Sequence, residues 1–126
     1  MRSPGPATAA TPSIYLSVDI DVLDPGTAPG TGTPEPGGMT AVDLLRAVRA
    51  IALETPLVAM DVVEVSPPYD HADITVNNAH RVVFEVLAGL AYKKRARQGG
   101  GPDLPGTAQD PGRLRYPDDP PDGDES

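Results

Sequence analysis

Over residues 13–22 the chain alternates without a break: Ile14, Leu16, Val18, Ile20 and Val22 are aliphatic, with Ser13, Tyr15, Ser17, Asp19 and Asp21 between them. A period of two predicts a β-strand with one wholly apolar face. Asp19 and Asp21 then project from its other face, near its C-terminal end. Further on, Val42, Leu45, Val48, Ile51 and Ala52 recur at helical spacing, and Thr40 with Asp43 three residues later makes a capping box. Together they predict a helix over residues 41–54. Pro56 restarts the chain into LVAMDVVEV, a mostly apolar, β-branched run that predicts a strand buried on both faces, as in a parallel sheet. The run stops at Glu64. Asp73 or Thr75 is placed to cap a last helix whose apolar stripe is Ala79, Val82, Val83, Val86, Leu87 and Leu90. Lys93, Lys94, Arg95 and Arg97 lie in its last turns, where cations complement the helix dipole, and Gly99 and Gly100 stop it.

The order β-loop-α-β-α predicts a parallel pair joined by a right-handed crossover. Two strands alone are marginal in water, so the pattern reads as part of a larger α/β domain. Composition then divides the chain. Its 126 residues include 16 Pro and 13 Gly, and residues 99–126 are rich in Gly, Pro and Asp with few large apolar side chains. That tail and residues 1–12 are expected to be disordered, which leaves residues 13–98 as the folding part, near the lower size limit for an independent core.

A net charge of -8 argues against a nucleic-acid or anionic-membrane surface and suits a cationic or metal ligand. No apolar run approaches the roughly 18 to 20 residues of a membrane span, and the first residues lack a signal-peptide core, so a cytoplasmic location is expected. The absence of cysteine excludes thiolate chemistry, and with 2 His any metal site must lean on carboxylates.

Carboxylates gather at the C-terminal ends of the predicted strands, where open parallel sheets place their sites: Asp19, Asp21 and Asp24 after the first, Glu64 after the second. Two Asp at i and i+2 on one strand face stand roughly 6 to 7 Å apart at the backbone, close enough to share one metal or two adjacent ones. The alternative is an acidic strand end facing water. Unpaired carboxylates beside a buried-type strand are costly without a cation, which favours the metal. A calcium loop is excluded, because positions 5, 6 and 12 counted from Asp19 are Leu23, Asp24 and Gly30. DPGTAPGTGTPEPGG, stiffened by Pro and made permissive by Gly, reads as a shaped site loop rather than a linker. His71 and His80 lack metal-ligand spacing and read as surface or structural residues.

SVDIDVLDPGTAPGTGTPEPGGMT followed by DVVEVSPPYD resembles the C-terminal signature region of the ureohydrolases, the family of arginases, agmatinases and related amidinohydrolases. GTGTPEPGG and VEVSPPYD are similar to bacterial agmatinases in particular. The resemblance covers residues 13–95. It implies an α/β chain, the C-terminal part of a three-layer α/β/α fold with a parallel sheet. It also implies a binuclear manganese (Mn2+) centre and hydrolysis of a small cationic guanidino substrate to urea and an amine, as in the conversion of agmatine to putrescine for polyamine synthesis. By the same resemblance, Asp19 matches the aspartate that bridges the two ions and Asp21 a terminal ligand, both catalytic. Glu64 matches the carboxylate that pairs with the guanidinium, Thr33 matches a loop threonine near the reacting centre, and Asp24 holds the turn.

The family also carries a GGDH-type histidine and a D-A-H-x-D cluster, and neither is present here. The expectation is an N-terminally truncated ureohydrolase that contributes only two metal ligands and is inactive alone. Two alternatives stand beside it: a ureohydrolase of another guanidino acid or of arginine, and a non-catalytic pseudoenzyme subunit. The latter would dock through its exposed sheet edge onto an intact ureohydrolase; a homo-oligomer is the other partner expected.

Overall fold

The computed structural model describes residues 13–99, so the disorder expected over residues 1–12 and from residue 100 onward lies outside the described residues. Alternation ends sooner than the sequence predicts. Strand β1 is Ile14–Asp19, and Ile20–Val22 form a 3-10 turn. The cause is burial of Ile20 and Leu23, at 0% and 1% exposure. Residues three apart lie above one another in a 3-10 turn, so the turn buries both, whereas a continued strand would alternate and expose Leu23. Val22 is correspondingly exposed, and Asp19 and Asp21 do not share a strand face.

Helix α1 is Ala41–Glu54, as predicted. Thr40 Oγ1 accepts from the Asp43 amide at 3.1 Å and donates to Asp43 Oδ2 at 2.6 Å. Its buried positions are Leu44, Val48, Ala50 and Ala52, while Val42 is exposed, so the stripe is shifted around the helix from the expected one. Strand β2, Leu57–Val63, pairs with β1 in parallel, with Asp19 opposite Val63. Register slips between Ile14 and Tyr15, which leaves Val58 as an extra residue, and Val58 is exposed. Helix α2 is Ile74–Arg97.

The inward residues Val18, Leu57, Met60 and Val62 pack with Leu44, Val48, Ala52, Val82 and Val86 in one core, so both helices cover one face of the sheet. The other face is open among the described residues, which corrects the expectation that β2 is buried on both. It carries Tyr15 and Ser17, whose hydroxyls donate to Asp61 at 2.5 and 2.7 Å. In the stripe expected for α2, Val82 and Val86 are buried, but Val83 and Leu87 are exposed.

The helices approach closely where Gly89 meets Ala52; a β-carbon on Gly89 would lie 2.9 Å from the Ala52 Cβ. Beside this contact Glu85 is 2% exposed. A carboxylate there is tolerated because Arg81 and Arg49 pair with it, at 2.7 and 3.2 Å. At the far end of the sheet, Lys93 Nζ donates to the Thr55 carbonyl. Burial, with the nearby Arg97 charge, pushes the Lys93 ammonium down from its ordinary value. No helix of the described residues is long and apolar enough to cross a membrane.

Candidate functional site

The loop between β1 and α1 is ordered and closes on itself. The Met39 amide donates to the Val22 carbonyl at 2.8 Å, and the Asp24 amide donates to the Met39 carbonyl at 3.0 Å. Gly38 makes this return possible, since a β-carbon there would sit 2.6 Å from backbone atoms of Val22, Leu23 and Asp24. Asp24 holds the turn, as expected: Oδ1 accepts from the Gly26 amide at 2.9 Å and Oδ2 from the Gly37 amide at 3.1 Å. Both of its oxygens are therefore turned onto its own loop.

Asp19 and Asp21 are adjacent, though by another route than strand alternation. Asp19 caps the 3-10 turn, and its Oδ1 accepts from the Asp21 amide at 3.1 Å. Thr33, twelve residues further on, donates through Oγ1 to Asp21 Oδ2 at 2.8 Å. One oxygen of each aspartate is held by these contacts and the other is left without a hydrogen bond among the described residues. Thr31, two residues before Thr33, is buried, and its hydroxyl has no partner among the described residues.

Glu64 stands at the neighbouring strand exit, one residue past the partner of Asp19. Its φ is +65°, in the left-handed region, which costs a residue bearing a β-carbon about 1 to 2 kcal/mol. Its side chain is exposed and makes no hydrogen bond among the described residues. Backbone conformation alone therefore sets where this carboxylate begins. Asp19, Asp21 and Thr33 form one group, and Glu64 follows the adjacent strand, one residue past the register partner of Asp19. His71 and His80 are exposed.

The donor chemistry of Asp19 and Asp21 suits a hard divalent ion such as manganese. Two carboxylates do not complete an octahedral oxygen shell. Among the described residues no three or more His, Asp or Glu side chains converge as a metal group. Asp19 and Asp21 therefore fit part of a metal's surroundings and not the whole.

The sequence did not single out Asp70. The residue preceding α2 is Asp73, but its side chain caps nothing. Instead Asp70 Oδ2 accepts from the Thr75 and Val76 amides, both at 3.1 Å, and Oδ1 from the His71 amide at 2.9 Å. Burial works to raise its pKa, but hydrogen bonds from Thr75 and from the Val76, Thr75 and His71 amides outweigh it and hold the carboxyl below the ordinary carboxylate value. Thr75, the other expected cap, is fully buried and accepts through Oγ1 from the Gly30 amide at 2.8 Å. Asn78 Nδ2 donates to the Thr27 carbonyl at 2.9 Å. The head of α2 thus grips the β1–α1 loop.

Comparison with known proteins agrees with the motifs. A family model described as the arginase family matches residues 6–89. Agmatinase of Bacillus subtilis (strain 168) is 47% identical over 86 residues, which is 68% of this chain and 29% of that protein. The crystal structure of a hypothetical agmatinase from Burkholderia thailandensis is similar with a TM-score of 0.59 at 42% identity, covering 69% of this chain and 26% of that one. Proclavaminate amidino hydrolase from Streptomyces clavuligerus gives 0.60 at 47% identity, covering 63% and 26%. The chain spans about a quarter of the length of the relatives it matches.

Proposed function

The chain belongs to the arginase family, and from that premise we propose that it is the part of a manganese-dependent ureohydrolase that contributes two metal-holding aspartates and the carboxylate that orients a guanidinium. Agmatine is the substrate class we favour, since the Bacillus subtilis, Chromobacterium violaceum and Bacillus cereus relatives, at 47%, 45% and 49% identity, are named agmatinases. The observation that carries this reading is the pairing of Asp19 with a Thr33-braced Asp21 at one strand exit, beside Glu64 at the next.

Asp19 and Asp21 would hold the ions, each having one carboxylate oxygen that its own loop leaves without a hydrogen bond. A pair of divalent ions, when bound, lowers the pKa of the water they share and supplies a nucleophile near neutral pH. Thr33 fixes one Asp21 oxygen and leaves the other without a hydrogen bond among the described residues. Glu64 is exposed, and its planar carboxylate matches a planar guanidinium with two parallel hydrogen bonds. Placing it at a left-handed backbone position aims it without support from neighbouring side chains. The ligands this segment lacks must come from the remaining three quarters of a ureohydrolase domain, so the isolated chain is expected to release no urea.

A graft tests the assignment. Residues 13–98 replace the matching segment of the Bacillus subtilis agmatinase, and urea release from agmatine is measured together with bound manganese. The chimera is expected to be active. Asp19→Ala should remove both bound metal and urea release, whereas Glu64→Ala should keep the metal and raise KM for agmatine at least tenfold. Normal turnover by the Glu64→Ala chimera contradicts the guanidinium role, and full metal occupancy in Asp19→Ala contradicts the metal role.

A further inference from the structure

We propose that Gly30, Asp70 and Thr75 form a junction that sets the position of the Asp19–Asp21 turn relative to Glu64, and that Asp70 and Thr75 are therefore positioning residues as well as helix caps. The proposal rests on the site reading given under Proposed function.

Three segments meet at Gly30. Its amide donates to Thr75 Oγ1 at 2.8 Å, and its carbonyl accepts from the Ser66 amide at 2.7 Å. A β-carbon at this glycine would lie 2.8 Å from both Cβ and Cγ of Asp70. Asp70 cannot retreat freely, because the amides of His71, Thr75 and Val76 all donate to its carboxylate. The backbone of the first loop is thus pressed against a side chain that is fixed from the other direction.

Chain connectivity turns this contact into a link between the two parts of the site. Gly30 is three residues from Thr33, which holds Asp21. Ser66 is two residues from Glu64. Both hydrogen bonds of the Gly30 peptide therefore lie on a short path joining the metal-type end to the guanidinium-type end. Thr75 is fully buried and Gly30 is buried, so the bond between them is shielded from water, while Ser66 is half-buried. A neutral hydrogen bond of this kind is worth about 1 kcal/mol, and a buried amide left without an acceptor costs at least as much. Glu64 itself makes no side-chain hydrogen bond among the described residues, so the Gly30 junction is the hydrogen-bonded link that ties its loop to the first one.

A cap that serves only the helix and a junction that positions the site make different predictions for the full 126-residue chain labelled with 15N. In wild type, added Mn2+ should broaden the amide signals of Asp21 and also those of Val65 and Ser66. Thr75→Val keeps the shape but removes both the acceptor for the Gly30 amide and the hydroxyl that supports the Asp70 carboxylate. It should speed amide exchange at Gly30 and Ser66 about tenfold, consistent with one lost hydrogen bond. It should also keep the broadening at Asp21 and at least halve it at Val65 and Ser66. Thr75→Ser should restore both. If Thr75→Val does not fold, Asp70→Asn, of similar size but a weaker acceptor, carries the same comparison.

Unchanged exchange at Gly30 with unchanged broadening at Val65 overturns the junction. So does exchange that rises equally at Val48 and Ala52 in α1, because the residue then acts on global stability alone. If wild type shows no broadening at Asp21, the metal reading has failed, and the junction is still decided by whether faster exchange is confined to Gly30 and Ser66.

Discussion

The two strand exits hold their candidate carboxylates in opposite ways. After β1, the chain spends a long loop on fixing Asp19 and Asp21: Asp24 ties the turn, Gly38 lets the loop return against its own start, and Thr33 reaches back to Asp21. After β2, Glu64 is left exposed at φ +65° with no side-chain partner among the described residues. The first exit is over-determined by contacts; the second is set by backbone conformation and by the junction behind it. The contrast fits the proposed roles: residues that were to share an ion would need fixed mutual geometry, and a carboxylate that was to meet a mobile substrate would need access.

The largest effect should come from breaking the first exit. Gly38→Ala puts a β-carbon 2.6 Å from three backbone atoms that cannot move aside separately, so the loop must reopen. A loss of about 3 kcal/mol or more is expected, read as a fall in the denaturant midpoint. A midpoint within experimental error of wild type would mean that the loop closure contributes little to the fold.

The converse change at the second exit should act in the other direction. Glu64→Gly relieves the left-handed backbone, partly offset by the greater freedom of glycine in the unfolded chain, and should stabilise by about 0.5 to 1 kcal/mol. The same variant in the grafted enzyme should lose guanidinium orientation. A destabilised Glu64→Gly would show that the carboxylate has a structural partner and would remove the contrast between the exits.

A smaller effect, on pH dependence, probes the junction that connects them. The Asp70 carboxyl is held below the ordinary value in the folded chain. The unfolded chain therefore binds the proton more readily as pH falls. The stability Asp70 contributes is present above the ordinary carboxylate pKa, near 4, and is lost as pH drops through the lower folded value. Asp70→Asn should flatten the acid limb of a stability profile below the ordinary carboxylate pKa. An unaltered limb would mean that the amides around Asp70 do not favour its charged form.

Local signals in the sequence carried much of the fold. Thr40 and Asp43 are three residues apart and cap α1 where they stand, and alternation through Asp19 gives β1 its faces. What escaped was set by competition or distance. The strand ends early because Ile20 and Leu23 both belong in the core, and period two cannot bury residues three apart. Asp70 caps a helix that starts at Ile74 because the intervening turn passes through positive φ at Ala72 and Asp73, a path that no capping spacing announces. Val58, Val83 and Leu87 are exposed although the sequence marks them as core. Periodicity identifies which side chains are apolar, and only packing decides which of them this segment can cover.

For the candidate site, the motifs pointed to Asp19, Asp21, Thr33 and Glu64, which stand at the two strand exits and in the first loop. The structure supplied the bond between Thr33 and Asp21, which spans twelve residues, and the junction at Gly30. Neither follows from spacing, since both depend on how the loop returns.

The most direct measurement is a Mn2+ titration of the 15N-labelled chain followed by amide line broadening. The account predicts that signals of Asp19, Asp21 and Thr33 broaden first, and that Asp21→Ala removes the effect there. Broadening that begins instead at the aspartates of residues 103–124, and that Asp21→Ala leaves unchanged, would contradict the claim that the β1 exit is the metal-holding end.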